Sequence, residues 1–179
     1  MSKDEPILLT TQRFRVVEVT RRLADGSTRT RAVVRHPGAV VVLPVVDDEH
    51  VCLIKQFRVS VGKTLIEVPA GTLEPSEPPA ACAARELSEE TGFSAGRLVP
   101  LQVIYPSPGI MDEAMHCFVA LDLTAGSPHR EHGEEIENLI ISWDEALALI
   151  DRGVIRDSKT IATVLLAERR RRTGFQQTS

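Results

Sequence analysis

The sequence predicts an α/β (α+β) fold, and three observations support this prediction. Valine-rich runs separated by acidic or glycine-containing turns predict buried strands. One alanine-rich stretch, residues 78–91, favours a helix instead. Strands and helices are interleaved along the chain, which indicates a sandwich of both rather than a helical bundle or an all-β domain. A length of 179 residues suits one domain, or one domain plus a dimerisation arm.

The N-terminal part, residues 1–36, is predicted to form a β-hairpin arm that precedes a main domain of residues 37–179. Residues 13–23 and 27–36 are rich in Val, Thr and Arg, and Asp25-Gly26 between them is a strong hairpin turn signal. The ribbon is polar and rich in arginine, which is more typical of an arm than of a core.

The main domain is predicted to contain strands wherever short apolar runs are bounded by turn residues. These strands are predicted at 38–46, 51–57, 64–68, 97–105, 114–123 and 136–142. The helix at 78–91 begins with Pro78-Pro79, which is tolerated only in a first turn, and Gly92 supplies a C-terminal stop.

Two further helices are predicted near the C-terminus. Ser142-Trp143-Asp144-Glu145 has the pattern of a capping box and begins a short helix that ends near Gly153. The last helix spans roughly 158–172 and is capped by Asp157 or Ser158.

The overall charge argues against a nucleic-acid partner. The net charge is −4 and the pI is about 5.8, so the chain has no global basic field. Cys52, Cys82 and Cys117 are isolated from one another and are expected to be small core residues rather than metal ligands or a redox pair. No signal-peptide or membrane-spanning stretch is evident, so we expect no membrane partner and a cytoplasmic location.

The predicted helix at 78–91 carries an acidic cluster. Glu86, Glu89 and Glu90 stand at i, i+3 and i+4, so their carboxylates converge on one face. Three converging negative charges repel one another unless a cation neutralises them. Hard oxygen ligands without His or Cys favour Mg²⁺, with Mn²⁺ as a substitute, over Zn²⁺. A solvent-exposed acidic face is the alternative interpretation of this spacing alone.

The residues around the cluster decide between these interpretations. Residues 71–93 match G-x5-E-x7-R-E-U-x-E-E-x-G-U without a departure when U is a bulky hydrophobic residue, here Leu87 and Phe93. This pattern resembles the signature of the Nudix hydrolases. The resemblance implies a Nudix fold, which is a mixed β-sheet sandwiched between helices.

By the same resemblance, the helix and the preceding loop form the metal site. Glu86 and Glu90 are implied as the principal ligands, Glu89 as an auxiliary ligand, and the carbonyl oxygen of Ala70 as completing the site. Arg85 is implied to orient the glutamates through salt bridges.

The remaining motifs resemble the ADP-ribose pyrophosphatase subfamily. They are Arg35-His36-Pro37-Gly38-Ala39-Val40, Gln56-Phe57-Arg58, Glu67-Val68-Pro69-Ala70-Gly71, and Pro108, which lies sixteen residues beyond Gly92. The likeness implies that Arg58, Glu67, Pro108 and Glu113 belong to the substrate site. Arg58 is a candidate clamp for the diphosphate, and Glu113 for ribose hydroxyls. Two alternative interpretations stay open. Arg58 is an ordinary surface residue in one, and Glu113 is a solvated loop carboxylate in the other.

The resemblance also implies a base and an oligomeric state. Related enzymes use a glutamate just before the strand at 136–142, for which Glu134 is the best match and Glu135 the reserve. Subfamily members form homodimers with exchanged N-terminal arms, and the ribbon of residues 13–36 resembles such an arm. Phe14 on it is a candidate partner for adenine, because Trp143 and Tyr105 are the only Trp and Tyr of the chain.

The expected reaction is hydrolysis of the diphosphate of ADP-ribose, or of a related nucleoside diphosphate sugar, to AMP and ribose 5-phosphate. Two alternatives remain open. One is a Nudix pyrophosphatase for another nucleotide, such as a GDP-sugar or an oxidised nucleoside triphosphate. The other is a non-catalytic Nudix domain that senses nucleotides, although the complete set of signature glutamates argues for the enzyme.

Overall fold

A computed structural model describes residues 5–130 and 135–175. Within those ranges the chain forms ten strands and three helices: β1 Ile7–Thr10, β2 Arg15–Arg22, β3 Thr28–Arg35, β4 Ala39–Pro44, β5 His50–Arg58, β6 Lys63–Glu67, β7 Ala70–Thr72, α1 Pro79–Thr91, β8 Phe93–Ile104, β9 Met115–Ala125, β10 Ile136–Ser142, α2 Trp143–Asp151 and α3 Ser158–Arg171. The mixture of strands and helices confirms the predicted α/β class.

The N-terminal residues form a separate antiparallel sheet in the order β1-β2-β3. The predicted hairpin of β2 and β3 is confirmed, and Asp25 Oδ1 accepts the backbone N–H of Ser27 at 2.9 Å in its turn. Gly26 has φ +85° there, a conformation that glycine adopts readily. Strand β1 was not predicted and extends the ribbon. The division of the chain after residue 36 stays a prediction.

The main domain contains two sheets that share one core. The mixed sheet has the order β7-β4-β9-β8, with β4 and β9 parallel, and the antiparallel sheet has the order β10-β5-β6. All six residues of β4 are buried, so the strand is apolar on both faces. Val40 and Val42 pack with Leu87 of α1. Val41 and Leu43 pack into the cluster that holds residues of α2, α3 and β5. Helices therefore cover both faces of the mixed sheet, as predicted.

The ends of the helices follow the sequence signals. Gly92 ends α1 with φ +80°, and a Cβ at this position would lie 2.8 Å from the Gly126 carbonyl oxygen. Ser142 caps α2 by accepting the Glu145 N–H at 3.1 Å. Asp157 caps α3 by accepting the Thr160 N–H at 2.9 Å, which selects Asp157 over Ser158 as the cap. Among the described helices, none is long and apolar enough to cross a bilayer.

Candidate active site

A cleft of about 1360 Å³ lies where the N-terminal sheet, the loop around β7, helix α1 and the start of α3 meet. Its walls carry most of the residues that the sequence predicted for the site: Arg58, Ala70, Arg85, Glu86, Glu89, Glu90 and Glu113. These residues are distributed from 58 to 113 along the chain, so the fold brings them to one place.

Helix α1 supplies the acidic wall of the cleft. Arg85 Nη1 donates to Glu86 Oε1 at 2.7 Å and to Glu89 Oε2 at 2.9 Å. The other side of the same guanidinium donates to both carboxylate oxygens of Glu77, at 3.0 and 3.1 Å. One arginine thus neutralises part of the acidic cluster and fixes the positions of three glutamates.

The electrostatic effect of Arg85 is largest at Glu77. The hydrogen bonds from Arg85 lower the pKa of Glu77 from 4.5 to about 2. Glu77 in turn is the main reason that the pKa of Arg85 is raised above its ordinary value. The pairing keeps Glu77 ionised and places it at the loop before α1. Glu77 does not line the cleft, so its contacts assign it to fixing the loop rather than to binding substrate.

The loop at β7 is fitted closely to the carboxylates of α1. A Cβ at Gly71 would lie 1.9 Å from both Cδ and Oε1 of Glu86, so only glycine leaves room for that carboxyl. The Ala70 N–H donates to Glu90 Oε2 at 3.1 Å, and Glu90 is only 4% exposed. The backbone at Ala70 and Gly71 therefore adjoins two of the three predicted metal-binding carboxylates.

A divalent cation suits this set of donors. The carboxylates of Glu86, Glu89 and Glu90 and the Ala70 carbonyl are all hard oxygen ligands, without His or Cys. In residues 5–130 and 135–175, no three His, Cys, Asp or Glu side chains are grouped as a ready-made metal cage. Arg85 Nη1 instead binds Glu86 and Glu89 and supplies the positive charge that the pair requires. The residues fit a cation that would share this role with Arg85.

Arg58 reaches the cleft from the end of β5, and its guanidinium is anchored from behind. Its Nε and Nη2 donate to the two carboxylate oxygens of Glu67 at 2.9 and 2.7 Å. Glu67 is 1% exposed and does not line the cleft, and it also forms a salt bridge with Lys159. The structure thus places Glu67 behind Arg58, and direct contact of Glu67 with substrate stays a prediction.

Glu113 lines the cleft next to His36. The two side chains are 3.5 Å apart from Nδ1 to Oε1, and Glu113 is 9% exposed. The Gly38 N–H donates to the same Nδ1 at 3.2 Å, so that nitrogen acts as an acceptor. Asp112 accepts the His36 N–H at 2.9 Å and pairs with Arg35 at 3.0 Å. These bonds fix the wall on which Glu113 is carried.

Besides Glu67, two predicted site residues, Pro108 and Glu134, are not placed in the cleft. Pro108 is exposed in the turn after β8, and Pro106 lines the cleft in its place. Glu134, the predicted base, lies outside the described residues. Its flanks are attached to the end of α1: Arg130 Nε donates to the Glu90 carbonyl at 3.1 Å, and Asn138 Nδ2 donates to the Thr91 carbonyl at 2.8 Å.

The structure also adds residues to which the sequence assigned no role in the site. Lys159 lines the cleft although it lies in the last helix, and Gln56 lines it with its Oε1 buried and without a hydrogen-bond partner among the described residues. Phe14 lines the cleft, as expected of an adenine partner. Trp143 is 2% exposed beneath Arg171, and Tyr105 lies outside the cleft wall.

Comparisons with known proteins agree with this geometry. A family model described as NUDIX domain matches residues 35–172. An ADP-ribose pyrophosphatase of Bacillus subtilis is 40% identical over 140 residues, which is 77% of this chain and 76% of that protein. A GDP-mannose pyrophosphatase of Citrobacter koseri is 36% identical over 154 residues, which is 80% of each protein.

One solved structure supports the fold. The crystal structure of an ADP compounds hydrolase superposes with a TM-score of 0.81 at 24% identity. The match covers 98% of this chain and 100% of that one, so it includes the N-terminal sheet as well as the main domain.

Proposed function

The chain belongs to the NUDIX domain family, and from this premise we propose that it is a nucleoside diphosphate-sugar pyrophosphatase acting on ADP-ribose. One observation carries the proposal: the signature glutamates of α1 and the cationic Arg58 line a single cleft. An anionic diphosphate complements Arg58, while the glutamates suit the cation that accompanies such a substrate. The net charge of −4 agrees with a small-molecule substrate rather than a nucleic acid. We place the enzyme in the cytoplasm.

Divalent-metal dependence is general among Nudix hydrolases. For this chain we propose Mg²⁺, with Mn²⁺ as a substitute, held by Glu86, Glu89, Glu90 and the Ala70 carbonyl. When bound, such a cation supplies charge neutralisation for the diphosphate and lowers the pKa of nearby water. Arg85 keeps Glu86 and Glu89 oriented through the hydrogen bonds described above.

The reaction adds one water across a phosphoanhydride bond. Water forms a bond to phosphorus, the bridging P–O bond breaks, and AMP and ribose 5-phosphate are the products. Arg58 holds the diphosphate, and Glu113, which lines the same cleft, accepts hydrogen bonds from ribose hydroxyls. Glu134 takes the proton of the attacking water, with Glu135 in reserve. The attachment of Arg130 and Asn138 to backbone carbonyls in the last turn of α1 supports this assignment, because it holds the residues on either side of Glu134 at the helix that carries the carboxylates.

A homodimer with exchanged N-terminal arms is part of the proposal. Residues 10–15 of the arm line the cleft, so the arm belongs to the site. Strand β1 exposes its apolar side chains, with Ile7 and Leu8 at 56% and Leu9 at 52%. Such a surface is suited to a second copy of the chain. Residues 1–36 are therefore proposed as the dimerisation element and residues 37–179 as the catalytic domain.

The experiment is a substrate panel with product identification. ADP-ribose, GDP-mannose and an oxidised nucleoside triphosphate are incubated with the protein and Mg²⁺, and the products are separated by chromatography. We expect AMP and ribose 5-phosphate from ADP-ribose at the highest kcat/KM. The 36% identity with a GDP-mannose pyrophosphatase makes release of GMP from GDP-mannose the second candidate activity. If no compound of the panel is hydrolysed, the enzymatic assignment is rejected.

A further inference from the structure

A chain of buried ion pairs lies behind the diphosphate-binding wall and ends at helix α3. Glu67 is 1% exposed, and its Oε2 is shared between Arg58 Nη2, at 2.7 Å, and Lys159 Nζ. Lys159 Nζ also lies 2.9 Å from Asp157 Oδ2. Two cations and two carboxylates thus balance one another around Glu67, which water scarcely reaches and where a charge without a partner is strongly unfavourable.

The start of α3 is also held in place by hydrogen bonds of Thr160. The Val68 N–H, which follows β6, donates to Thr160 Oγ1 at 2.9 Å. Thr160 is fully buried and also donates to Asp157 Oδ2 at 2.6 Å. Lys159 is therefore presented from a hydrogen-bonded helix terminus to the end of the strand that carries Glu67.

The charges keep Glu67 ionised and hold Arg58 to it. Burial would raise the pKa of Glu67, but Arg58 and Lys159 together lower it below its ordinary value. The hydrogen bonds to Glu67 raise the pKa of Arg58, against the effect of burial. A carboxylate with two cations is thus a firm anchor for the guanidinium.

This anchor determines which side of Arg58 meets a ligand. Glu67 occupies Nε and Nη2, whereas Nη1 makes no hydrogen bond to a described residue. The Arg58 side chain is 33% exposed and lines the cleft. A guanidinium offers five donors in a rigid plane, so anchoring one edge fixes the direction of the other.

We propose that Lys159 is a positioning residue that, through Glu67, holds Arg58 with its Nη1 edge towards the substrate diphosphate. The inference rests on the proposed function and extends it to a residue in the last helix. Direct contact of Lys159 with phosphate is the competing role. Positioning is favoured because Lys159 Nζ is bound by two carboxylates and its side chain is only 9% exposed.

The first test monitors the Arg58 side chain by NMR and does not require hydrolysis of a substrate. In ¹⁵N-labelled protein, the Nε–H cross-peak of Arg58 is identified by its loss in Arg58→Lys. Lys159→Met should make exchange of this N–H with water at least about tenfold faster, and Lys159→Arg should retain its protection. Lys55→Met is the matched control, because it removes an exposed lysine whose partner is Glu137 and should leave the signal unchanged. An unaltered Arg58 signal in Lys159→Met would overturn the proposal.

The second test separates positioning from direct contact through kinetics on ADP-ribose. Lys159→Met should raise KM about tenfold with kcat within about threefold of the parent, and Lys159→Arg should restore most of the affinity. If Lys159 acts through Glu67, Glu67→Gln/Lys159→Met should be no worse than Glu67→Gln alone. Additive effects of the two changes would instead assign Lys159 a direct contact and overturn the proposal.

The two tests also distinguish the failure of this inference from the failure of the proposed function. The NMR measurement decides the role of Lys159 even if the parent hydrolyses nothing. The double variant guards against misfolding of Lys159→Met, because it removes the two most buried charges together and leaves only the more exposed Arg58 and Asp157. In the double variant, the Arg58 Nε–H should also exchange faster with water, since the neutral amide of Gln is a weaker acceptor than the carboxylate.

Discussion

Replacement of Gly71 by Ala should abolish most of the activity while the fold is retained. The new Cβ would lie 1.9 Å from Cδ and Oε1 of Glu86 and 2.4 Å from its Oε2. To regain van der Waals contact, the carboxyl has to move away by about 1.5 Å. Misplacement of a catalytic group by about 1 Å can reduce the rate by roughly a hundredfold, so we expect kcat/KM for ADP-ribose to fall by about that factor.

The stability of Gly71→Ala is expected to change little. Gly71 is absent from the residues with positive φ, so alanine fits its backbone conformation. The obstructing atoms belong to the movable end of a glutamate side chain. Loss of the Glu86 contact with Arg85 is opposed by the lower entropy of the unfolded chain, about 0.4–1 kcal/mol for such a change. The free energy of unfolding should therefore stay within about 1 kcal/mol of the parent.

The assay combines steady-state release of AMP with urea denaturation. Gly109→Ala is the matched control for the backbone effect on stability, because its φ is not positive and no atom lies within 4 Å of the added Cβ. Parental kcat/KM in Gly71→Ala would refute the argument that the position of Glu86 governs the reaction. A large loss of stability would show that the variant fails by unfolding instead.

Three other predictions concern Glu77, Glu134 and the arm. Because Arg85 lowers the pKa of Glu77 from 4.5 to about 2, the stabilisation is complete above pH 4.5 and is lost as the pH falls towards 2. Urea denaturation should therefore show a parent more stable than Glu77→Gln at neutral pH and a difference that vanishes near pH 2. Glu134→Gln should reduce kcat by about a hundredfold or more, and a parental rate would place the base elsewhere. Light scattering should give about twice the chain mass of 19.7 kDa, and a clean monomer would reject arm exchange.

The sequence predicted those parts of the fold that local chemistry determines. Gly92 ends α1 because glycine tolerates φ +80°, and the Ser142 and Asp157 caps use side-chain oxygens next to the helices they begin. Strand β7 is different. Ala70 and Gly71 have little strand propensity, and Ala70–Thr72 form a strand because they pair with Ala39–Val41 of β4. Strand β1 likewise depends on pairing with β2.

The candidate site also contains a part that the sequence could predict and a part that it could not. The spacing of Glu86, Glu89 and Glu90 could be recognised because one helix carries all three, and the structure places them in the cleft as predicted. The link between Glu67 and Lys159 could not be recognised from the sequence. The two residues are 92 positions apart and meet only when α3 packs against the end of β6. No local pattern distinguishes Lys159 from an ordinary lysine in the first turn of a helix.

The central claim is that the carboxylates of α1 bind a divalent cation needed for diphosphate hydrolysis. Titration calorimetry with Mn²⁺, in the presence of α,β-methylene ADP-ribose, tests it most directly when the parent is compared with Glu90→Gln. The variant should keep its melting temperature, bind Mn²⁺ at least about tenfold more weakly, and release almost no AMP from ADP-ribose in a parallel assay. A folded Glu90→Gln that binds the cation and hydrolyses ADP-ribose as the parent does would contradict the account.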